Sequence, residues 1–196
     1  NQNNLSTTFG GAINQSTNSI GLIKAGTGTL ALTNINNFTG GVTVNAGVII
    51  NAAIGASQGA LNMLQLQAGG AGSDLTIAGG ILGLRGDQPN FDFQENGFDL
   101  VTMGPGSGYN ITVTNFAAPG GTYRTSQINV DRVAAGAGAA LKINNLNLQS
   151  NFLTVSGGNT TRLFVNGTTT FNGDTTLNVS ADRLIFDGGF AGSITN

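Results

Sequence analysis

The chain contains no cysteine, no histidine and no tryptophan, and only 3 of its 196 residues are proline. Without cysteine, disulfide bonds and thiolate-bound metal ions are excluded. Without cysteine and histidine, the Ser-His-Asp and Cys-His catalytic arrangements are excluded as well. No apolar run reaches the roughly 18 residues that a membrane-spanning helix requires. We therefore expect no membrane-spanning segment in this chain.

Charge is also scarce, because only 8% of the residues are charged and the net charge is −2. Binding to nucleic acid needs a stripe of basic residues, whereas the 7 lysines and arginines of this chain are scattered along it. Nucleic acid is therefore not expected as a partner. The opening residues, NQNNLSTTFG, lack the charged start and apolar stretch of a signal peptide. We expect that a leader has been removed or that this is an internal section.

Glycine is abundant, with 32 residues and no Gly-X-Y period, so the chain is not collagen-like. Short segments with alternating apolar residues recur from end to end, separated by Gly, Asn, Asp and Ser, which favour turns. One short helical turn is predicted at Ala52–Leu61. The predicted strands are Leu30–Leu32, Val42–Val44, Val48–Ile50, Leu64–Leu66, Leu75–Ile77, Ile81–Leu84, Ile111–Val113, Ile128–Val130, Leu141–Ile143, Leu146–Leu148, Leu153–Val155, Leu163–Val165, Thr169–Phe171, Leu177–Val179 and Leu184–Phe186.

Such short strands are best stabilised in stacked coils, where each strand pairs in parallel with the coils above and below. The sequence therefore predicts an all-β protein, a β-solenoid that forms one domain over residues 1–196. At about 20 to 25 residues per coil, as in other solenoids, the chain would form about eight coils. Residues 85–126 are less regular, and we predict a loop-bearing insert there.

The two ends of the chain are similar in sequence. Phe9–Asn14 resembles Phe190–Thr195, and neither end shows the polar capping segment that terminal coils of solenoids need. We expect a section of a longer array or a unit that stacks head to tail.

Residues 24–50, KAGTGTLALTNINNFTGGVTVNAGVII, carry the most specific pattern in the chain. This string resembles the passenger-associated transport repeat of bacterial autotransporters. The resemblance implies a right-handed parallel β-helix that a Gram-negative bacterium exports to its surface or secretes. Members are usually adhesins or fibrous surface proteins, with some enzymes. The residues that match the repeat are Gly28, Leu30, Leu32, Asn37, Phe38, Gly40, Gly41, Val44, Gly47 and Ile49.

The acidic residues form one cluster in the sequence, within the irregular section. Its carboxylates suit a hard cation, so a calcium site is one interpretation. Arg85 and Arg124 lie close enough in sequence to serve as the base of a polysaccharide lyase similar to the pectate-lyase β-helices. We favour a solvated hydrophilic loop, because no second cluster supports the first. The cluster consists of Asp87, Asp92, Glu95 and Asp99.

Aromatic residues fall into two groups. Those of the irregular section could be exposed and stack on sugar rings, or could fill the space beneath the loop; the predicted ligand contacts are Phe91, Phe93, Tyr109 and Tyr123. Those at strand-like positions are predicted to lie in the core: Phe38, Phe152, Phe164, Phe171, Phe186 and Phe190.

These patterns favour a non-enzymatic, extracellular structural or adhesive β-helix section that needs no cofactor. Expected partners are further copies of the chain, associated end to end or laterally, and surface glycans or host cell surfaces. The alternatives are a polysaccharide-acting lyase or hydrolase and a lectin-like module, both using residues 85–126.

Overall fold

The fold was derived from a computed structural model. It describes residues 5–34, 36–52, 64–65, 74–86, 100–102, 108–114, 125–132, 139–149, 152–181 and 183–192. In these ranges the chain forms strands and no helix, and correspondingly it contains no helix that could cross a membrane. The predicted helical turn at Ala52–Leu61 lies outside the described residues, except for Ala52, which ends a strand.

The described chain forms twenty short strands. Every predicted strand corresponds to one of them, since alternating apolar residues mark one buried face. The strands are β1 (Thr7–Phe9), β2 (Leu22–Lys24), β3 (Thr29–Leu32), β4 (Asn36–Asn37), β5 (Val42–Val44), β6 (Val48–Ala52), β7 (Leu64–Gln65), β8 (Asp74–Ile77), β9 (Ile81–Arg85), β10 (Leu100–Thr102), β11 (Asn110–Val113), β12 (Ser126–Asp131), β13 (Ala139–Ile143), β14 (Leu146–Leu148), β15 (Phe152–Gly157), β16 (Thr161–Val165), β17 (Thr169–Phe171), β18 (Thr176–Val179), β19 (Arg183–Phe186) and β20 (Phe190–Gly192).

The strands form parallel sheets that run along the molecule. Sheet I has the order β1-β3-β6-β9-β12-β15-β18, and sheet II has the order β2-β5-β8-β11-β14-β17-β20. The third side consists of sheet III, β10-β13-β16-β19, and the two-stranded sheet IV, β4-β7. The chain visits sheet I, then the third side, then sheet II, and returns to sheet I one step further along. This is the predicted parallel β-helix. The described residues contribute seven strands to each of sheets I and II. The number of about eight coils stays a prediction.

The core is a set of inward columns, one residue per coil. On sheet I, register pairing aligns one such column from Thr7 to Val179: Thr7, Leu30, Ile49, Leu82, Ile128, Val155 and Val179. On sheet II the corresponding column is Leu22, Val42, Leu75, Ile111, Leu146, Thr169 and Phe190. From Ile49 to Val155 on sheet I and from Val42 to Thr169 on sheet II, the members of these columns are at most 2% exposed, so each coil covers the apolar face of its neighbour.

Sheet I is continuous through coils of very different length. Leu153 and Leu177 pair across 24 residues, whereas Ile81 and Gln127 pair across 46. The irregular section predicted at residues 85–126 therefore leaves the pairing of β9 with β12 intact. A second long interval of 33 residues separates the paired Val48 and Ile81, and the sequence patterns did not indicate it.

Two of the phenylalanines predicted to lie in the core are exposed, so the prediction is wrong for them. Phe152 is 59% exposed, because it precedes the inward Leu153 and points to the opposite face of sheet I. Phe190 is 65% exposed, because it lies in the last strand of sheet II. Phe9 belongs to sheet I and Phe190 to sheet II, so the similar sequences at the two ends do not occupy equivalent positions in the coil.

Candidate functional site

The repeat pattern spans β2 to β6, which is more than one coil because β2 pairs with β5 and β3 pairs with β6. Its apolar residues alternate inward along short strands. Leu32, Phe38, Val44 and Ile49 are buried in the core, and Leu30 packs against it. The predicted repeat residues thus extend over slightly more than one turn of the β-helix, with β1 paired before them and β8 and β9 paired after them.

The glycines of this coil allow close approach between successive turns of the backbone. A Cβ atom added at Gly40 would lie 2.6 Å from the backbone nitrogen of Gly21 in the preceding coil. At Gly47 the backbone has a φ of +68°, and an added Cβ would lie 2.5 Å from the carbonyl oxygen of Gly28. Both positions therefore need glycine, one for space and the other for space and conformation.

Lys24 places a charge in an otherwise apolar inward column. Its side chain is only 8% exposed, and its register partners further along sheet II include Val44, Ile77 and Val113. Burial lowers the pKa of the Lys24 ammonium group. Lys24 offsets this cost by donating hydrogen bonds from Nζ to three backbone carbonyls.

The carbonyls around Lys24 belong to two successive coils. Nζ donates to Gly26 at 2.7 Å, to Ala25 at 3.1 Å and to Ala46, in the following coil, at 3.3 Å. An ammonium group has three donors and no acceptor, so these contacts use its full donor capacity. Lys24 therefore ties two coils together at the turn where β2 leads into β3.

Asn36 is the buried asparagine of the repeat, whereas the sequence pattern had been matched to its neighbour Asn37. Asn36 is fully buried; its Oδ1 accepts from the backbone N–H of Ile13 at 2.9 Å, and its Nδ2 donates to the carbonyl of Asn34 at 2.8 Å. The structure describes only the backbone of Asn37. The available signal was spacing: Asn36 lies two residues before the buried Phe38, and such residues share a strand face.

Part of the first coil is connected to the second coil by side-chain hydrogen bonds rather than by paired strands. Gln15 Oε1 accepts from the backbone N–H of Thr39 at 2.7 Å and from its hydroxyl at 3.0 Å. Asn34 Nδ2 donates to the carbonyl of Gly10 at 3.0 Å. Asparagine and glutamine can bond both to backbone donors and to backbone acceptors, so they connect coils where no ladder is formed.

A second polar cluster joins three coils further along sheet I. Arg85, at the end of β9, forms an ion pair with Asp131, at the end of β12. Asp131 Oδ1 also accepts from Asn159 Nδ2 and from the backbone N–H of Arg132, both at 2.8 Å. Burial raises the pKa of the Asp131 carboxyl, but the hydrogen bonds from Asn159 and Arg132 and the charge of Arg85 outweigh it and hold the pKa below its usual range.

This cluster bears on the lyase alternative. A catalytic base must be able to accept a proton, and Arg85 is instead a hydrogen-bond donor engaged with a carboxylate of the next coil. The other basic candidate, Arg124, lies outside the described residues. The cluster therefore connects coils at the start of the predicted insert.

Tyr109 is a core residue, so of the two interpretations of these aromatic rings the exposed sugar-stacking ring is wrong for it. Its side chain is 0% exposed and packs in the main hydrophobic cluster, because it precedes β11 at the point where the chain enters sheet II. The other predicted ligand and metal residues lie outside the described ranges: Phe91, Phe93, Tyr123, Asp87, Asp92, Glu95 and Asp99.

In its middle coils the outward face of sheet II is polar and almost uncharged. Register pairing aligns a column of outward side chains that begins at the exposed Ile23 and ends at Ala191; its middle members are Thr43, Thr76, Thr112, Asn147 and Thr170. Beside it, Asn110 Oδ1 accepts from Asn144 and Asn145, each at 2.9 Å, and Asn172 donates to Asn147 at 2.8 Å. The face is thus a rigid array of hydroxyl and amide groups.

Comparison with known proteins agrees with the resemblance seen in the sequence. Residues 22–50 match the family model of the passenger-associated-transport-repeat. The match begins at β2 and ends within β6, so it includes Lys24, Asn36, Gly40 and Gly47. No curated protein and no solved structure matches the chain significantly.

Proposed function

We propose that this chain is a non-enzymatic structural section of an autotransporter-like protein that acts outside a Gram-negative cell, either at the surface or after secretion. The observation that carries the proposal is the continuity of the repeat with the rest of the stack. Residues 22–50 cover more than one full coil, and they pair in register with β1 before them and with β8 and β9 after them, through sheets I and II. The transport repeat is therefore part of a longer rod.

The rod can extend and present a surface because its backbone groups pair along the axis. Each strand inside sheet I or sheet II bonds to two parallel neighbours, so each coil supports the next. Low charge reduces electrostatic repulsion between copies. We propose adhesion to surface glycans or cell surfaces as the role of the exposed polar faces.

Surface display tests this proposal. The chain is fused to a heterologous outer-membrane anchor in a Gram-negative host, and intact cells are treated with protease. We expect the displayed chain to be accessible from outside, to resist cleavage within the coils, and to promote settling of cells or retention on glycan-coated plates.

A folding-deficient variant provides the control for the display experiment. Gly40→Val removes the close approach of two coils, so this variant should be protease-sensitive and should not promote retention. The proposal fails if the chain that is displayed and folded leaves settling and retention unchanged, or if the purified chain degrades acidic or neutral polysaccharides.

We further propose that the fold needs no cofactor, including calcium. The thermal midpoint of the purified chain should be the same in calcium chloride and in a chelator. A calcium-dependent rise would contradict this, and loss of the rise in Asp92→Asn and Glu95→Gln would assign the ion to the acidic cluster.

A further inference from the structure

Phe152 presents an exposed aromatic ring on the outward face of sheet I, and its side chain is 59% exposed. Its strand, β15, pairs with β12 on one side and with β18 on the other. The exposure therefore results from the outward direction of the ring and not from a missing neighbour. Among the outward residues of these three strands Phe152 is the one apolar side chain, since the others are Gln127, Asn129, Asp131, Thr154, Ser156, Thr176 and Asn178.

Three threonine hydroxyls surround the ring. Thr176 is the register partner of Phe152 in the next coil, and Thr154 lies two residues further along the same strand. Thr125 lies beside Phe152 in the preceding coil, one residue before the paired segment. Neighbouring strands are about 4.8 Å apart, and alternate residues of one strand are roughly 7 Å apart. A ligand of the size of one sugar residue on the ring is therefore within reach of all three hydroxyls.

Two amides complete the surroundings of the ring. Gln127 and Asn178 are the register partners of Thr154 on either side. Gln127 Nε2 donates to Ser156 Oγ at 2.6 Å, and Asn129 Nδ2 donates to the same oxygen at 2.8 Å. The Gln127 amide is thus held in one orientation before any ligand arrives, which lowers the entropic cost of binding.

This arrangement is complementary to a neutral pyranose. The C–H groups on one face of a sugar ring carry partial positive charge, and the face of an aromatic ring carries partial negative charge. The sugar hydroxyls both donate and accept, as the hydroxyl and amide side chains around Phe152 do. None of these side chains is charged, and the exposed Asp174, two residues before Thr176, repels acidic sugars.

The charges that do lie on this face are paired with each other. Arg85 and Asp131 form their ion pair at the ends of β9 and β12, four residues along the strand from Gln127. They therefore offer no uncompensated charge to a ligand on Phe152.

We propose that Phe152 and the hydroxyl and amide side chains around it bind a neutral, hexose-containing glycan, with one pyranose ring stacked on Phe152. Gln127 and Asn178 bond to sugar hydroxyls on two sides of the ring, and the threonines bond to the others. This inference rests on the proposed adhesive function, to which it adds the ligand class and the site.

A glycan array tests the ligand class. A single shallow site binds weakly, so the purified chain is coupled in many copies to fluorescent beads. The array carries neutral oligosaccharides that end in glucose, galactose or N-acetylglucosamine, together with sialylated and sulfated oligosaccharides. We expect the beads to be retained on neutral members and not on acidic ones.

Variants of the site test the residues, with the retained oligosaccharide titrated into isotope-labelled chain and followed by NMR. Phe152→Ala should weaken binding by about 10-fold or more, because the stacking surface is lost, whereas Phe152→Tyr should retain binding. Asn178→Ala should weaken it by about 5-fold, the effect of one lost hydrogen bond.

Ile23→Ala is the matched control, because Ile23 is 68% exposed but lies on the outward face of sheet II. It should leave binding unchanged. Circular dichroism establishes that each variant is folded, and if Phe152→Ala does not fold, the exposed Asn178 carries the test through Asn178→Ala.

Binding of neutral glycans that Phe152→Ala leaves unchanged overturns the site. Failure of the wild-type beads to bind any neutral oligosaccharide, or a preference for acidic ones, overturns the ligand class. The proposed function is tested separately, because resistance of the displayed chain to protease and settling of the displaying cells are both measured without added glycans.

Discussion

Arg85 and Asp131 form an ion pair between two successive strands of sheet I, although 46 residues separate them in the sequence. Both side chains are about a quarter exposed or less, so solvent screens the pair only in part. Asn159, from the next coil, completes the contacts of the carboxylate. The pair therefore fixes β9 against β12 at the two ends of the predicted insert.

Replacing Asp131 with asparagine should destabilise the chain by about 1–2 kcal/mol near neutral pH, because Arg85 loses its charged acceptor. The pKa of Asp131 is lowered on folding from 3.8. Its contribution is therefore fully present above that value and is lost as the pH falls through the lower pKa of the folded state. Denaturant unfolding between pH 2 and 7 checks this. A difference between wild type and variant that stays constant at the lowest pH would contradict it.

Replacing Gly40 with alanine should destabilise the chain by about 2 kcal/mol or more, because the added methyl group would meet the backbone of Gly21 and Ile20. Gly189 is the matched control, since a Cβ there has no atom within 4 Å. Gly189→Ala should be neutral or stabilising by about 0.5 kcal/mol. Thermal and denaturant unfolding of the two variants would show the contrast, and equal effects would argue against close contact at Gly40.

Thr161 and Thr169 each bury a hydroxyl oxygen without a hydrogen-bond partner. Valine has the same shape and no polar group, so Thr161→Val and Thr169→Val should each stabilise the fold by about 1 kcal/mol. The control is the buried Ser126, whose hydroxyl accepts from the backbone N–H of Gly79 at 3.0 Å. Ser126→Ala should destabilise by about 1 kcal/mol, and chemical denaturation measures all three changes. Loss of stability in both valine variants would show that the hydroxyls are satisfied.

Lys24→Met should destabilise the chain by about 1–3 kcal/mol, because methionine fills similar volume but leaves the carbonyls of Gly26, Ala25 and Ala46 without their donor. Lys142, on the outward side of sheet III and only partly buried, provides the control; Lys142→Met should change stability by less than about 0.5 kcal/mol. Denaturant midpoints distinguish the two. A Lys24 variant as stable as wild type would mean that the buried charge costs as much as its hydrogen bonds contribute.

Much of the fold could be predicted because the alternation of polar and apolar residues is visible within each short segment of the sequence. Val42–Val44, Leu146–Leu148 and Thr169–Phe171 have the predicted bounds, since polar and apolar residues alternate there between turn residues. The strands Thr7–Phe9 and Phe190–Gly192 were not predicted from the sequence. Their residues show no clear alternation, and pairing with a neighbouring coil makes them strands.

The site was less predictable than the fold. The repeat pattern was matched to Asn37, but Asn36 makes the buried hydrogen bonds. Two adjacent asparagines cannot be distinguished in a sequence until the inward face of the strand is known. Tyr109 was counted among the possible ligand contacts because it lies in an irregular stretch, yet it is buried in the core. The role of Lys24 depends on a carbonyl from the following coil, which no local pattern reveals.

By itself, the sequence determined the class of structure, because alternating apolar residues and turn residues produce short strands. The scarcity of charge permits these strands to stack closely, and the glycines of the repeat allow successive coils to come into contact. The tertiary structure alone decided which strands lie side by side, because coils of unequal length close onto the same sheet and their lengths follow no period. It also decided that Arg85 meets Asp131. This contact depends on the register between coils, which many contacts set together and no single segment encodes.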